Sequence, residues 1–473
     1  MEKETLVMEK LDFTIPVLGK ATVQSTIHLS KERDDYLSNY VQDDQYILYN
    51  IETSVGSHSN FAQKELLEKA GPREKIYFDP AKVRAAIITC GGLCPGLNNV
   101  IRAIVMCLWY RYNVKLISGI RYGYRGFLSQ FRLPVMELTP EIVSKIHHRG
   151  GTILGSSRGF GENANEIVDT LERMNINILF TIGGDGTQRG ALNISREISR
   201  RGLKIAVVGI PKTIDNDLSF VQKSFGFETA VSKAMDAVAS AHIEAEDAFN
   251  GIGIVKVMGR QSGFIAAHTA LAVNDVNFVL IPEVPFDLYG ENGLLIHLQN
   301  RIENRHHAVI LVAEGAGQDL LENSDSADAS GNKKLADIGL FLKEKISAFF
   351  KEKAIEINLK YIDPSYIIRS TPANPNDSIY CARLGTNAVH AAIAGKTELL
   401  VSFVHDNFVH VPIRMAVSRR NRVNPDDGLW RDVIAVTGQP WLMKNQQDMR
   451  KADEHNKDKD FREAEPALSQ AVR

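Results

Sequence analysis

The sequence predicts an α/β fold in which parallel β-sheets are wrapped by helices, and two observations support this prediction. From residue 83 onward, short runs of β-branched and other apolar residues alternate with longer stretches of helical periodicity. Two of the apolar runs also end in glycine-rich loops that open helices. The runs predicted to be strands are 85–89, 178–182, 205–210, 252–257, 278–281 and 308–313.

The stretches between these runs have the spacing of helices that pack on a sheet. In each of two of them the apolar residues share one helical face, namely Ile101, Ile104, Val105 and Leu108, and then Ala230, Val231, Ala234, Met235 and Val238. A further, charged helix is predicted around residues 335–351.

Three other segments lack this regular pattern. Residues 1–82 are weakly periodic and predict an N-terminal extension. Residues 319–333 are rich in Asp, Ser, Asn and Gly, which favours a surface loop. Residues 444–473 are densely charged and predict a frayed or disordered tail.

Composition excludes several classes of function. Of the 473 residues 44% are hydrophobic, which excludes overall disorder, and the net charge of −2 gives no basic footprint for nucleic acid. Apolar runs fall well short of the ~20 residues that cross a bilayer. The acidic first residues do not resemble a secretory signal, and the 4 cysteines are too few for a disulfide scaffold. We therefore expect a cytoplasmic protein.

The two glycine-rich loops, residues 90–98 and 183–187, predict phosphate binding. Glycine lacks the Cβ that would keep backbone N–H groups away from phosphate oxygens, and the following helix adds partial positive charge at its N-terminus. Tight turns use glycine for conformational reasons too, so one loop alone would be weak evidence. Neither loop has the Walker A or the dinucleotide-binding spacing.

The segment Pro211-Lys212-Thr213-Ile214-Asp215-Asn216-Asp217 follows a predicted strand and brings one lysine, one hydroxyl and two carboxylates close together. A carboxylate there can accept a hydroxyl proton while the ammonium group compensates charge on a transferred phosphoryl group. An Asx-rich turn that caps the next helix is the alternative. The preceding Pro-Lys-Thr favours the catalytic interpretation.

Three more charged residues are expected at loops that follow strands. Asp185 lies between glycines, where its oxygen suits Mg²⁺ that bridges phosphate oxygens, although a turn aspartate is the alternative. Arg260 and Glu314 follow two further predicted strands, at the sheet edge where ligands of α/β folds gather, or else they are surface charges.

Taken together, these motifs resemble the 6-phosphofructokinase family, and the resemblance runs from about residue 83 to residue 396. The segments that carry it, in family order, are Gly91 to Asn98, Gly150 to Arg158, Gly183 to Thr187, Pro211 to Asp217, Met258 to Arg260 and Ile281 to Val284. The combination of Lys212 with Gly186 and the long N-terminal extension resemble the plant and kinetoplastid ATP-dependent subgroup.

The resemblance implies a role for each matching residue. Asp215 would be the base that takes the proton from the sugar's 1-hydroxyl group, with Lys212, Thr213 and Arg260 as further catalytic residues. Asp185 would hold Mg²⁺. ATP would be bound by Gly91, Arg158, Gly159, Gly183, Gly184, Gly186, Thr187, Gln188 and Gly190. Fructose 6-phosphate would be bound by Thr213, Asp215, Met258, Gly259, Arg260, Glu314, Lys360, Tyr366 and Arg369.

Two residues bear on the identity of the phosphoryl donor, and they favour different donors. Gly186 resembles the ATP-dependent enzymes, whereas Lys212 resembles the pyrophosphate-dependent ones. We expect ATP, because a carboxylate in place of Gly186 would repel the α-phosphate, while a lysine can coexist with ATP. A pyrophosphate-dependent enzyme and a non-catalytic regulatory subunit of the same fold are the alternatives. Gly251, Lys360 and Tyr366 depart from the bacterial residues of the sugar-phosphate site.

The resemblance also implies two Rossmann-like three-layer α/β/α domains with the active site between them, and a homo-oligomer, specifically a tetramer. The nucleotide domain would comprise 83–226 and about 369–420. The sugar-phosphate domain would comprise 227–368 and about 421–443.

Overall fold

A computed structural model describes residues 11–32, 34–52, 62–321 and 335–445 of the chain. The strands are β1 (Val23–Gln24), β2 (Tyr46–Leu48), β3 (Leu66–Lys69), β4 (Lys75–Ile76), β5 (Arg84–Thr89), β6 (Leu116–Ile120), β7 (Met136–Glu137), β8 (Ile178–Gly183), β9 (Ala206–Pro211), β10 (Gly251–Val257), β11 (Phe278–Leu280), β12 (His307–Ala313), β13 (Asn358–Ile362), β14 (Leu399–Val404) and β15 (Asn407–Pro412).

The α-helices are α1 (Leu97–Met106), α2 (Pro140–Val143), α3 (Ala164–Arg173), α4 (Asp185–Arg200), α5 (Phe227–Glu246), α6 (Phe264–Val273), α7 (Leu294–Arg305), α8 (Ile338–Glu352), α9 (Ser365–Ser370), α10 (Pro375–Ile393), α11 (Ile413–Ala416) and α12 (Gly428–Thr437).

The chain divides into two compact units. Unit 1 takes its described residues from Met1–Lys233 and Ser365–Asn421. Unit 2 takes them from Ala234–Ser324, Leu335–Pro364 and Arg422–Arg473. The prediction of an α/β fold is confirmed, and the helices and strands alternate within each unit as that fold requires.

Within the described residues, unit 1 is built on a nine-stranded sheet of order β2-β3-β15-β14-β9-β8-β5-β6-β7. The strands from β14 to β6 are parallel, whereas β2, β3, β15 and β7 pair antiparallel with their neighbours. Ile88, Leu179 and Val207 pack with apolar residues of α3 and α4. The alternate residues of the same strands are also fully buried, and α10 packs against β9 and β14. Both faces of the parallel part are therefore covered, as its near-continuous apolar strands predict.

Part of the N-terminal extension belongs to this sheet. β3 pairs with β15, and β2 pairs with β3. The Glu68 carboxylate on β3 forms ion pairs with Arg73 (2.7 Å) and Lys396 (2.5 Å), and all three side chains are buried. Breaking a buried ion pair is strongly destabilising because it leaves an uncompensated charge. Residues 66–73 are therefore an integral part of unit 1.

Unit 2 contains, among its described residues, a four-stranded parallel sheet of order β11-β12-β10-β13. Leu295 and Leu298 of α7 and Leu342 and Ile346 of α8 contribute to its core. The Asp337 carboxylate accepts a hydrogen bond from the Leu340 N–H group (3.1 Å) and so caps the N-terminus of α8.

All six predicted strands are present, each within about a residue of the predicted bounds. The hairpin of β14 and β15 was not predicted. Its two-residue turn, His405-Asp406, has both residues at positive φ (46° and 60°), a conformation usually recognised in a sequence by Asn-Gly or Asp-Gly. The loop predicted at 319–333 and the tail at 444–473 lie largely outside the described residues. Among those residues, every helix is too short or too polar to span a lipid bilayer.

Candidate active site

Three neighbouring parallel strands of unit 1 end at one edge of the sheet, and each is followed by a predicted functional motif. Thr89 at the end of β5 is in register with Ile182 of β8, and Gly183 of β8 is in register with Pro211 of β9. The two glycine-rich loops and the Lys212 segment are therefore side by side. Ligands of open α/β sheets bind at the carboxyl ends of the strands.

The first glycine-rich loop lets the Lys212 side chain approach the backbone at Gly91 closely. Gly91 has a φ of +85°, and a Cβ there would lie 3.1 Å from the Nζ atom of Lys212. Its N–H group donates to the Ser157 carbonyl (2.9 Å), and the Ser156 hydroxyl donates to the Gly91 carbonyl (2.7 Å). These bonds hold the segment that carries the exposed Arg158 against the loop. Gly159, also at positive φ (79°), turns the chain away from it.

Lys212 is buried beneath this loop. Its side chain donates to the Gly92 carbonyl (2.7 Å), and its backbone N–H group donates to the Gly183 carbonyl (3.0 Å). Burial lowers the pKa of the Lys212 ammonium group, and the positive charges of Arg369 and Arg158 add to this effect. Two predicted site cations, Arg158 and Arg369, therefore lie close enough to Lys212 to influence its charge.

The second glycine-rich loop leads directly into α4, whose N-cap residue is Gly184 and whose first residue is Asp185. The first N–H groups of a helix have no intrahelical partner and favour negative charge. A Cβ at Gly183 would lie 2.1 Å from the Thr187 hydroxyl oxygen, and one at Gly190 would lie 2.7 Å from the Tyr124 ring. Those two glycines are therefore required by packing.

Thr187 and Gln188 are buried. The Gln188 amide donates to the carbonyls of Gly183 (3.0 Å) and Ile210 (3.3 Å), so this side chain joins the ends of β8 and β9. Gly186 differs from all these positions, because a Cβ there would meet no atom within 4 Å. The protein itself leaves room for a side chain at residue 186.

The turn after β9 is closed by its own polar groups. The Thr213 hydroxyl donates to Asp217 (2.5 Å), and Asn216 adopts a positive φ of 57°. The Asn216 amide donates to the Gln222 carbonyl (3.1 Å). Asp215, at the centre of this turn, is half-buried. These bonds close a polar turn within residues 213–222, before α5 begins, and Asp215 lies in this turn after the end of β9.

Asp217 and Arg420 were not assigned a role from the sequence. Arg420 contacts Asp217 (2.9 Å) and Asp185 (3.5 Å) at the same time. Asp217 lies in a motif that could have suggested it, whereas Arg420 is more than two hundred residues further along the chain and carries no recognisable motif.

The residues at this edge fit a magnesium ion. Asp185 and Asp217 supply carboxylate oxygens, and their side chains are 19% and 11% exposed. Among the described residues no group of three or more His, Cys, Asp or Glu side chains could hold a metal. Mg²⁺ is usually held by one or two carboxylates together with substrate phosphates, so a pair suffices.

Unit 2 positions its predicted substrate residues mainly through the backbone. β10 and β12 are paired at Val257 and Ala313, and the segments Met258–Arg260 and Glu314 follow. The Gly315 N–H group donates to the Gly259 carbonyl (3.0 Å), and a Cβ at Gly315 would lie 2.0 Å from the Arg260 carbonyl oxygen. Met258 is fully buried, whereas Arg260 and Glu314 are half-buried.

The remaining sugar-phosphate residues are placed differently. Lys360 is exposed on β13 opposite Gly253, four residues, or about 13 Å, before the end of β10. The structure of unit 2 therefore does not bring Lys360 to Met258 and Glu314. Tyr366 is 82% exposed on α9, which also carries Arg369. At Gly251 a Cβ would lie 2.1 Å from the Ala245 carbonyl oxygen, so a larger residue is excluded.

Comparison with known proteins agrees with the motifs. Residues 84–392 match the family model described as Phosphofructokinase. The chain is 57% identical over 444 residues to the ATP-dependent 6-phosphofructokinase of Borreliella burgdorferi (92% of this chain, 99% of that protein). It is 47% identical to ATP-dependent 6-phosphofructokinase 5, chloroplastic, of Arabidopsis thaliana (90% and 84% covered) and 48% identical to the ATP-dependent 6-phosphofructokinase of Trypanosoma brucei brucei (83% and 81%).

A solved structure of a pyrophosphate-dependent phosphofructokinase from Marinobacter aquaeolei is also similar, with a TM-score of 0.62 at 20% identity over 77% of this chain and 96% of that one. This likeness supports the fold and does not select the phosphoryl donor. The resemblance drawn from the motifs, including that to plant and kinetoplastid enzymes, is confirmed by the sequence relatives. The chain is a member of the phosphofructokinase family.

Proposed function

We propose that this protein transfers the γ-phosphoryl group of ATP to the 1-hydroxyl of fructose 6-phosphate, giving fructose 1,6-bisphosphate and ADP in glycolysis. The observation that carries the proposal is the shared edge at which β5, β8 and β9 end. It places a glycine-rich loop, the N-terminus of α4 and the Lys212 to Asp217 turn side by side. ATP as the donor is supported by the ATP-dependent relatives.

In this reaction Asp215 is the general base. Its carboxylate accepts the proton of the 1-hydroxyl group as that oxygen attacks the γ-phosphorus, and the bond to ADP breaks. The Thr213 hydroxyl already donates to Asp217, so Thr213 contributes by fixing the turn that carries Asp215. This role differs from direct stabilisation of the phosphoryl group.

Cations stabilise the charge that develops on the transferring group. In unit 1 these cations are Lys212 and the two arginines whose positive charge lowers its pKa, Arg158 and Arg369, and Arg260 is the corresponding cation of unit 2. Mg²⁺ would be held by Asp185, with Asp217 as a second carboxylate, and would neutralise phosphate oxygens when bound. Met258, Gly259, Glu314 and Tyr366 would contact the sugar phosphate. Lys360 lies far from the strand ends of its own unit, and the family resemblance implies that such a cation contributes across a subunit interface.

The discriminating experiment is a coupled assay of the purified chain with fructose 6-phosphate, Mg²⁺ and either ATP or pyrophosphate. We expect turnover with ATP alone. Turnover with pyrophosphate alone would establish the alternative that Lys212 motivates. The absence of turnover with either donor would identify a non-catalytic regulatory subunit.

The metal has its own test. Asp185→Asn should raise the Mg²⁺ concentration required for half-maximal activity and weaken Mn²⁺ binding to the protein. Unchanged Mn²⁺ binding would contradict the assignment of Asp185.

We also propose a homotetramer in the cytoplasm, with a nucleotide domain and a sugar-phosphate domain as the family resemblance implies. The cytoplasmic location is supported by the four cysteines, all of which are described, free and buried. Light scattering after size-exclusion chromatography and subcellular fractionation would test the two statements. A monomer, or an organellar location, would contradict them.

A further inference from the structure

The Arg420 guanidinium lies on both carboxylates of the proposed metal site. Its Nη1 atom is 2.9 Å from Oδ2 of Asp217, and its Nη2 atom is 3.5 Å from Oδ2 of Asp185. The three side chains are only 27%, 11% and 19% exposed. One arginine thus bridges the buried carboxylate of Asp217 and the half-buried carboxylate of Asp185, which follow different strands of unit 1.

The backbone around Arg420 holds this guanidinium in place. Arg420 forms an isolated antiparallel bridge with Leu218. The Asn421 N–H group donates to the Asp217 carbonyl (2.9 Å), and the Ser219 hydroxyl donates to the Arg419 carbonyl (2.8 Å). The segment is therefore paired with the residues that follow the catalytic turn, and Arg420 is positioned more firmly than an ordinary surface arginine.

Arg420 and a divalent cation need the same oxygen atoms. Oδ1 of Asp217 already accepts the Thr213 hydroxyl, so Oδ2 is the oxygen that remains, and Arg420 is bound to it. At Asp185 the guanidinium likewise contacts Oδ2 (3.5 Å), an oxygen that it shares with the Nε atom of Arg189 on α4 (3.0 Å). A cation on these two Oδ2 atoms would stand where the guanidinium nitrogens stand, and two positive charges in partly desolvated surroundings repel each other strongly.

We propose that Arg420 is a positioning residue that acts as an exchangeable counter-ion of the Asp185 and Asp217 pair. It holds the two carboxylates together when no divalent cation is bound, and it releases them when Mg²⁺ binds. Arg420 thereby sets the cation concentration that the enzyme requires. This inference rests on the proposed function in one respect, namely that Asp185 holds the metal.

The test is a Mn²⁺ titration of the nucleotide-free full-length protein, followed by the electron paramagnetic resonance signal of free Mn²⁺. Arg420→Gln should bind Mn²⁺ about tenfold more tightly than the wild type, because a competing charge is removed. Arg419→Gln is the matched control. This variant also removes one positive charge, at the residue next to Arg420. The Arg419 guanidinium packs over the Phe220 ring (5.1 Å) and contacts neither carboxylate, so the Mn²⁺ affinity of Arg419→Gln should stay within about twofold of that of the wild type.

A purely structural role for Arg420 makes a different prediction. If Arg420 only supported the fold, Arg420→Gln would lower the Tm, and added Mg²⁺ would raise the Tm of the variant by no more than that of the wild type. We expect millimolar Mg²⁺ to raise the Tm of Arg420→Gln by more than that of the wild type, since a ligand stabilises the folded state more when it binds more tightly. Arg420→Lys keeps the charge but lacks the two-pronged guanidinium, so its Mn²⁺ affinity should lie between those of the wild type and Arg420→Gln.

Unchanged or weaker Mn²⁺ binding in both Arg420 variants would overturn the inference. Asp185→Asn in the same titration separates this failure from failure of the proposed metal site. If Asp185→Asn abolishes Mn²⁺ binding while Arg420→Gln leaves it unchanged, the metal site stands and the counter-ion role is wrong. If Asp185→Asn also leaves it unchanged, the metal assignment itself is wrong.

Discussion

Charged side chains meet at the strand ends of unit 1, whereas backbone contacts dominate the strand ends of unit 2. In unit 1, Lys212, Asp185 and Arg420 each bind a partner from a different segment. In unit 2, Gly259 and Gly315 bring two loops together so closely that a side chain would not fit. Electrostatic contacts thus connect the charged site residues of unit 1, whereas steric fit connects the two loops of unit 2 that carry Gly259 and Gly315. Substitutions in the two units should consequently fail in different ways.

The largest effect is expected in unit 1, at Asp215. Asp215→Ala should lower kcat by about 10² to 10⁴, the usual contribution of a general base, with little change in ATP binding. Steady-state kinetics and a nucleotide-binding titration of the same preparation measure both quantities. Near-normal turnover in a folded variant would contradict the role of Asp215.

The next effect concerns the donor. Gly186→Asp should abolish the use of ATP, because the new carboxylate would repel the α-phosphate while the fold tolerates it, a Cβ at this position meeting nothing within 4 Å. Gly428→Asp is the matched control, since a Cβ there would meet only the flexible Arg431 side chain. The assay compares ATP and pyrophosphate turnover of both variants. Unchanged ATP turnover in Gly186→Asp would show that repulsion does not select the donor.

In unit 2 the addition of a single methyl group should be enough to impair the use of fructose 6-phosphate. Gly315→Ala would place a Cβ 2.0 Å from the Arg260 carbonyl oxygen. The loop must shift, and kcat/KM for fructose 6-phosphate should fall by about 10- to 100-fold. The KM for ATP should be nearly unchanged. Gly428→Ala, whose Cβ would meet only the flexible Arg431 side chain, is the control. An equal loss of kcat/KM for fructose 6-phosphate and for ATP would contradict the proposal that this loop of unit 2 serves the sugar phosphate and not the nucleotide.

The smallest effect concerns acid stability. Burial lowers the pKa of His390 in unit 1 to about 3, and Tyr112 hydrogen-bonds its Nδ1 atom (2.8 Å). Because the unfolded state takes up this proton near pH 6.5, the stabilisation present above pH 6.5 is lost as the pH falls from 6.5 toward 3. By pH 5 the loss should be about 2 kcal/mol.

His390→Gln should remove that part of the pH dependence of the unfolding free energy, measured by urea denaturation at pH 7 and pH 5. His297 in unit 2 also has a pKa lowered by burial, but it is only partly buried. His297→Gln should therefore change the pH dependence less. A larger change in His297→Gln would mean that the acid-sensitive unit is unit 2.

Much of this organisation could be predicted from local sequence. The apolar runs predicted the six strands, since burial on both faces leaves a continuous signal in a short segment. The glycines and charged residues that follow those strands predicted the sheet edge at which the site lies, because they are adjacent to the strands in the sequence. The hairpin of β14 and β15 was missed because its turn residues, His405 and Asp406, are not the usual ones.

The site itself was only partly predictable. Asp185 and Asp215 were predicted because their neighbours in the sequence form motifs. Thr213 was predicted among the catalytic residues, and the structure adds that its hydroxyl donates to Asp217. Lys360 was predicted among the substrate residues, yet its register on β13 keeps it from the strand ends of unit 2.

The sequence by itself determined the fold class, the family motifs and the chemical types that gather at the strand ends, because each is encoded within a few adjacent residues. Only the tertiary structure decided which of these groups are in contact. Arg420 reaches Asp185 and Asp217 from a segment more than two hundred residues away, and Gly315 touches Arg260 through the pairing of β10 with β12. Such contacts depend on sheet order and register, which are set by the packing of the whole unit.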